Sequence, residues 1–219
     1  MPTVSDYIYY SFLLAAIFMS FKAHKANIPG LVILRLVLCI GFVNEMIAQA
    51  LKMSDISNNI SHYFYIPLEY FLLVFFYRVH AKTMYLKNAM IASAGIYILI
   101  ALPIIIFNYR PLDYPYPSMI YNINCTFNIL WISILMFNLA TPDFRPITSV
   151  PVFWIFSGML TFYAGIFFFN GAYNYFMNQD ATLAKALRDY INTALNNLMY
   201  LVFTYAFYVS WKNTRYSYR

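Results

Sequence analysis

The chain reads as an all-α protein, a bundle of seven transmembrane helices, on three observations. Seven apolar runs lie at about 5–21, 30–51, 61–79, 89–107, 119–139, 151–176 and 188–211. Each is long enough to cross a hydrocarbon core of about 30 Å, which takes roughly 20 helical residues. Hydrophobic residues make up 62% of the sequence and charged ones 10%, against about a half and a quarter in a soluble domain, so little chain is left for anything outside the bilayer. The runs are also continuous rather than alternating. Lipid gives a bare backbone no hydrogen bonds, so a continuous run must close its own as a helix, and a barrel is excluded. Residues 1–219 are therefore expected to form a single transmembrane domain.

Each element has its own local warrant. Asp6 precedes the first run and Lys22 and Lys25 follow it; without the basic n-region of a secretory signal, this span is expected to stay attached. Asn27, Pro29 and Gly30 supply the turn into the second run. Arg35 lies about one and a half turns inside that run and can snorkel to the interface. The third run contains Pro67, which either kinks a helix begun near Ser61 or is its first residue. The inner half of the fourth is mostly apolar. Asn108 to Pro117 and Thr141 to Pro151 carry turn chemistry around the fifth. Gln179-Asp180 offers a cap for the seventh, and the helix-forming stretch after it predicts a start a turn or two above the membrane. Cys39 and Cys125 lack metal or disulfide spacing and read as apolar thiols, so no cofactor or metal is expected.

Short loops rich in Lys and Arg stay cytoplasmic. With the amino terminus outside, nine basic residues fall inside (Lys22, Lys25, Arg78, Lys82, Lys87, Arg145, Lys212, Arg215 and Arg219) and four outside (Lys52, Arg110, Lys185 and Arg188). The asymmetry predicts amino terminus out and carboxyl terminus in. The net charge of +6 is thus a topology signal dispersed over loops, not a nucleic-acid surface. Tyr7, Tyr9, Tyr10, Tyr63, Tyr65, Tyr109, Tyr114, Tyr116, Tyr173 and Tyr175 fit an outer aromatic belt, with Trp211, Tyr216 and Tyr218 at the inner one.

Polar side chains inside spans are the candidates for function. An ionised group at mid-bilayer costs about 2.5–3.5 kcal/mol on insertion scales. Glu45 and Gln49 share a helix face at i, i+4; Glu69 lies at a similar depth, with His62 two turns above it on the same face. The i, i+4 spacing recurs as Asn124 and Asn128, Asn170 and Asn174, and Asn192 and Asn196. A single buried Asn is commonly helix glue worth about 0.6–2 kcal/mol. A shared depth in the outer halves, above inner halves of Phe, Leu, Ile, Val and Ala, instead suggests one wet cavity open to the outside. Glu45, Gln49, Glu69, Asn128, Asn174 and Asn196 are its expected ligand-binding residues.

Span seven has no lysine before Lys212, which removes a retinal Schiff base, and no internal repeat supports an inverted-repeat transporter. The stretches Tyr65 to Arg78, Phe153 to Gly158 with Tyr163-Ala-Gly165, and Leu195 to Tyr200 resemble small bacterial seven-helix proteins similar to the membrane sensor modules of histidine kinases. That resemblance implies a plasma-membrane sensor. With no kinase domain expected after Trp211, a cytoplasmic or membrane partner protein would carry the signal, and the ligand would be a small molecule or a lipid. Pro67-Leu68-Glu69 also looks like part of the Pro-x-Glu-Glu motif of membrane lycopene cyclases, with Tyr70 at the second acidic position. This implies an alternative: an intramembrane enzyme on a lipid or isoprenoid, with Glu69 or Glu45 as the acid.

Overall fold

The computed structural model describes residues 4–23, 28–107, 116–139 and 146–217, without the side chains of Asn174 and of residues 213–217. The expectations on Lys25, Asn27, Tyr109, Arg110, Asp113, Tyr114, Arg145, Tyr218 and Arg219, and on the side chains of Asn174, Arg215 and Tyr216, lie outside the described residues. Among those described there are seven α-helices and no strand: α1 (Val4–Lys22), α2 (Leu31–Met53), α3 (Asn59–His80), α4 (Met84–Phe107), α5 (Ser118–Leu139), α6 (Pro151–Gln179) and α7 (Ala181–Ser217). Four of them, α2, α4, α5 and α6, are long and apolar enough to cross a membrane.

The helix ends follow from local chemistry. Gly30 precedes α2 with φ +73°, a left-handed conformation that costs other residues about 1–2 kcal/mol, and its carbonyl accepts from the Ile33 and Leu34 N–H groups. A Cβ there would also stand 3.0 Å from the Phe76 ring, so glycine is required twice over. Pro67 lies inside α3, not at its start; having no N–H, it cannot bond the Tyr63 carbonyl one turn back. Pro151 opens α6, where a missing N–H costs nothing. The cap expected at Asp180 is present: its Oδ1 accepts from the Thr182 and Leu183 N–H groups at 2.8 and 3.0 Å. α7 accordingly begins at Ala181, two turns before the apolar run.

The chain folds as two compact units, one built on Gly30–Phe127 and the other on the described parts of Pro2–Pro29 and Asn128–Arg219. In the first, α3 packs between α2 and α4. The α2 start, the α3 end and the α4 start share one end of this unit, because Ile33, Arg78 and Met84 line one groove. Its core is a stripe on α3 in which Tyr63, Tyr70 and Tyr77, seven residues apart, are all buried. α4 buries only Met90, Ser93, Ala94, Tyr97 and Ala101, while Leu99, Leu102, Ile106 and Phe107 are exposed. An apolar face of that extent is at home in hydrocarbon and out of place in water.

In the second unit α7 packs against both α1 and α6. A Cβ on Gly165 would sit 2.6 Å from Leu195 Cδ1, and one on Gly158 3.2 Å from Val202 Cγ1, so small residues set the α6–α7 approach. Trp154 stacks edge-on against Tyr205 at 5.1 Å and donates to the Thr148 carbonyl. Lys22 lies over the rings of Phe18 and Trp211, at 4.7 and 5.8 Å, which brings the carboxyl-terminal end of α1 alongside α7 near Trp211. The aromatic belt needs correcting. Tyr7 and Tyr175 are exposed, as anchors must be, but Tyr9, Tyr63 and Tyr173 are buried. Position near a helix end predicts depth, not which way the ring faces.

Candidate functional site

In the first unit, Glu69 of α3 lies near polar groups of other helices. Glu69 is on the buried side of α3, 9% exposed, two residues after Pro67. It lies within electrostatic range of the Tyr97 hydroxyl on α4 and of the Tyr121 hydroxyl and Cys125 thiol on α5. Glu45 also reaches Tyr121. Pairwise interactions thus link polar groups on four helices: Glu45 from α2, Glu69 and Tyr70 from α3, Ser93 and Tyr97 from α4, and Tyr121 and Cys125 from α5. Glu45 and Gln49 are half-buried, as residues on the rim of a cluster would be.

The hydroxyls of Tyr70, the residue after Glu69, and of Ser93 are ordered. Ser93 Oγ donates to the Met90 carbonyl at 2.6 Å, which leaves its lone pairs for the Tyr70 hydroxyl 2.8 Å away; Tyr70 is then the donor. The Tyr70 ring packs on Tyr97 at 4.8 Å and on Phe127 at 5.8 Å. The Tyr97 hydroxyl is buried and bonds no other group among the described residues. A buried hydroxyl without a partner costs about 1–3 kcal/mol, so this donor is available to an incoming acceptor at that cost already met by the fold. Carboxylate and hydroxyl together can hold a ligand that both donates and accepts hydrogen bonds.

The second unit holds the asparagines. Asn128 is fully buried. Asn196 is 9% exposed, and its Nδ2 donates to the Asn192 carbonyl and Oδ1 at 3.0 and 3.2 Å, a bond along its own helix. Asn170 is 4% exposed, and neither of its amide atoms finds a hydrogen-bond partner among the described residues. The structure therefore puts Glu45 and Glu69 each within electrostatic range of Tyr121 and gives Asn196 a partner one turn away.

Tyr70, Ser93, Tyr97 and Tyr121 were not among the residues expected from the sequence. Two signals could have found them: the seven-residue spacing of Tyr63, Tyr70 and Tyr77, and the i, i+4 pair Ser93 and Tyr97 in an otherwise apolar run. No grouping of His, Cys, Asp and Glu suited to a metal ion occurs among the described residues. Neither a protein-family model nor a curated protein nor a solved structure matches this chain.

Proposed function

We propose that this chain is a multi-pass plasma-membrane protein that binds a small molecule or a lipid from the outer side and passes a conformational signal to a partner protein. In this reading all seven helices span, with the amino terminus outside and the carboxyl terminus cytoplasmic. The parity of the packing supports it: α1 and α7 run in the same direction, as first and seventh spans must, and α3 runs against α2 and α4. The bacterial sensor modules named above supply the functional analogy.

The observation that carries the reading is the burial of Glu69 inside a helix, within electrostatic range of hydroxyls from two other helices. Ionisable residues placed so within apolar helices are rare and mark ligand or substrate sites by default. Glu45 and Gln49 flank it as rim contacts, and Asn128, Asn174 and Asn196 remain ligand-binding candidates on the second unit, to be tested on their own.

The test is direct. Protein purified from native membranes should carry a small molecule or lipid, identified by mass spectrometry, that the Glu69→Gln protein lacks while remaining folded. Equal recovery from both would return Glu69 to packing. A second arm separates sensor from enzyme: a crosslinked partner from native membranes supports sensing. Turnover of a lipid or isoprenoid by the isolated protein, lost in Glu69→Gln, puts acid catalysis in its place.

A further inference from the structure

The end of the first unit away from Glu69 carries a second feature with different chemistry. A groove of about 350 Å3 is lined by Ile33 on α2, Phe75, Arg78 and Val79 on α3, and Met84 and Lys87 on α4. Arg78 is nine residues from Glu69, about 13 Å along the helix, so this groove and the Glu69 cluster are separate sites.

Two cations face the groove. Arg78 Nε is buried without a hydrogen-bond partner among the described residues. Both side chains are half-buried, so they are partly withdrawn from the water that would otherwise solvate them. α4 begins at Met84, and Thr83 Oγ1 accepts from the Leu86 N–H, which fixes the positive end of a 24-residue helix at the same place. The remaining walls are apolar and open outward: Phe75, Val79 and Met84 are all exposed. The site is thus cationic at its base and greasy along its flank. A free anion would satisfy only the first property; a zwitterion would bring its own cation into a cationic pocket.

We propose that this groove binds an anionic membrane phospholipid, its phosphate held by Arg78 and Lys87 and the start of its acyl chain lying on Phe75, Val79 and Met84. A guanidinium presents a planar fork to phosphate oxygens, and an ammonium adds a point charge beside it. The volume suits a glycerophosphate headgroup, at the lower end of ligand-site sizes.

The experiment uses the full chain, delipidated in mild detergent, with phosphatidylglycerol, phosphatidylcholine and inorganic phosphate as the probes and native mass spectrometry as the readout. Wild-type protein should retain phosphatidylglycerol in preference to phosphatidylcholine. The double variant Arg78→Gln, Lys87→Gln should weaken that binding by about tenfold or more, whereas Lys212→Gln should leave it unchanged. Met84→Trp alters no charge and starts from an exposed side chain, so it tests the groove even where the double variant fails to fold; it should also weaken binding. Equal binding of the two lipids would overturn the proposal, as would equal loss in Lys212→Gln, unchanged binding in Met84→Trp, or displacement of phosphatidylglycerol by an equal concentration of inorganic phosphate.

Discussion

Tyr70 and Tyr97 touch each other in the interior of the first unit, yet their hydroxyls stand in opposite positions, and removing each should have opposite effects. Tyr70 donates to Ser93 at 2.8 Å, so Tyr70→Phe should lower stability by about 1 kcal/mol, the net worth of an ordinary hydrogen bond. Tyr97 has no hydrogen-bond partner for its hydroxyl among the described residues, so Tyr97→Phe should leave stability unchanged or raise it. Thermal unfolding of the two variants in the same detergent checks the pair, and a loss in Tyr97→Phe as large as that in Tyr70→Phe would show that its hydroxyl is bonded. If Tyr97 serves the ligand, its replacement should reduce ligand retention without loss of fold. The sequence made Glu69 and Glu45 visible because carboxylates inside apolar runs are conspicuous. The tyrosines were not visible as a cluster, since a tyrosine near a helix end is as often an anchor as a core residue, and only the rotation of its helix decides.

Along single helices, the legible part was the apolar length and the illegible part was the ends. α4 and α7 start five and seven residues before the expected runs, at Met84 and Ala181, because hydropathy marks what lipid accepts while helix formation continues into water as long as caps and propensity allow. Pro67 could not be placed from sequence, since a proline fits a first turn and a kink equally well; the helix begins eight residues earlier, at Asn59. Glycines were equally silent, and α6 now separates two kinds. Gly165 faces Leu195, where an added Cβ would come within 2.6 Å of a side-chain methyl, while Gly171 has nothing within 4 Å. Gly165→Ala should therefore cost about 1–3 kcal/mol through overpacking of the α6–α7 contact. Gly171→Ala should gain about 0.5–1 kcal/mol by restricting the unfolded chain. Opposite shifts in unfolding midpoint are expected, and equal shifts would mean that the α6–α7 approach is not set at Gly165.

For the molecule as a whole, orientation decides what each site can meet. The basic residues divide nine to four between the two sides when the amino terminus is placed outside, and within the first unit Arg78 and Lys87 share an end to which Glu69 does not belong. Positive residues near span ends are retained in the cytoplasm during insertion, so the cationic groove should face inward and the carboxylate cluster outward. A reporter active only in the cytoplasm should then work when fused after Arg219 and fail when inserted at Asp113. The reverse pattern would turn the molecule over: Glu69 would meet cytoplasmic ligands, and the Arg78 groove would lie in the outer leaflet, away from the negative surface potential that draws basic groups to the inner one. A reporter that works at both places would instead mean an even number of crossings between them. One of α5, α6 and α7 would then fail to span, and the helix to suspect first is α7, which is not among the four long and apolar enough to cross. The three outcomes exclude one another.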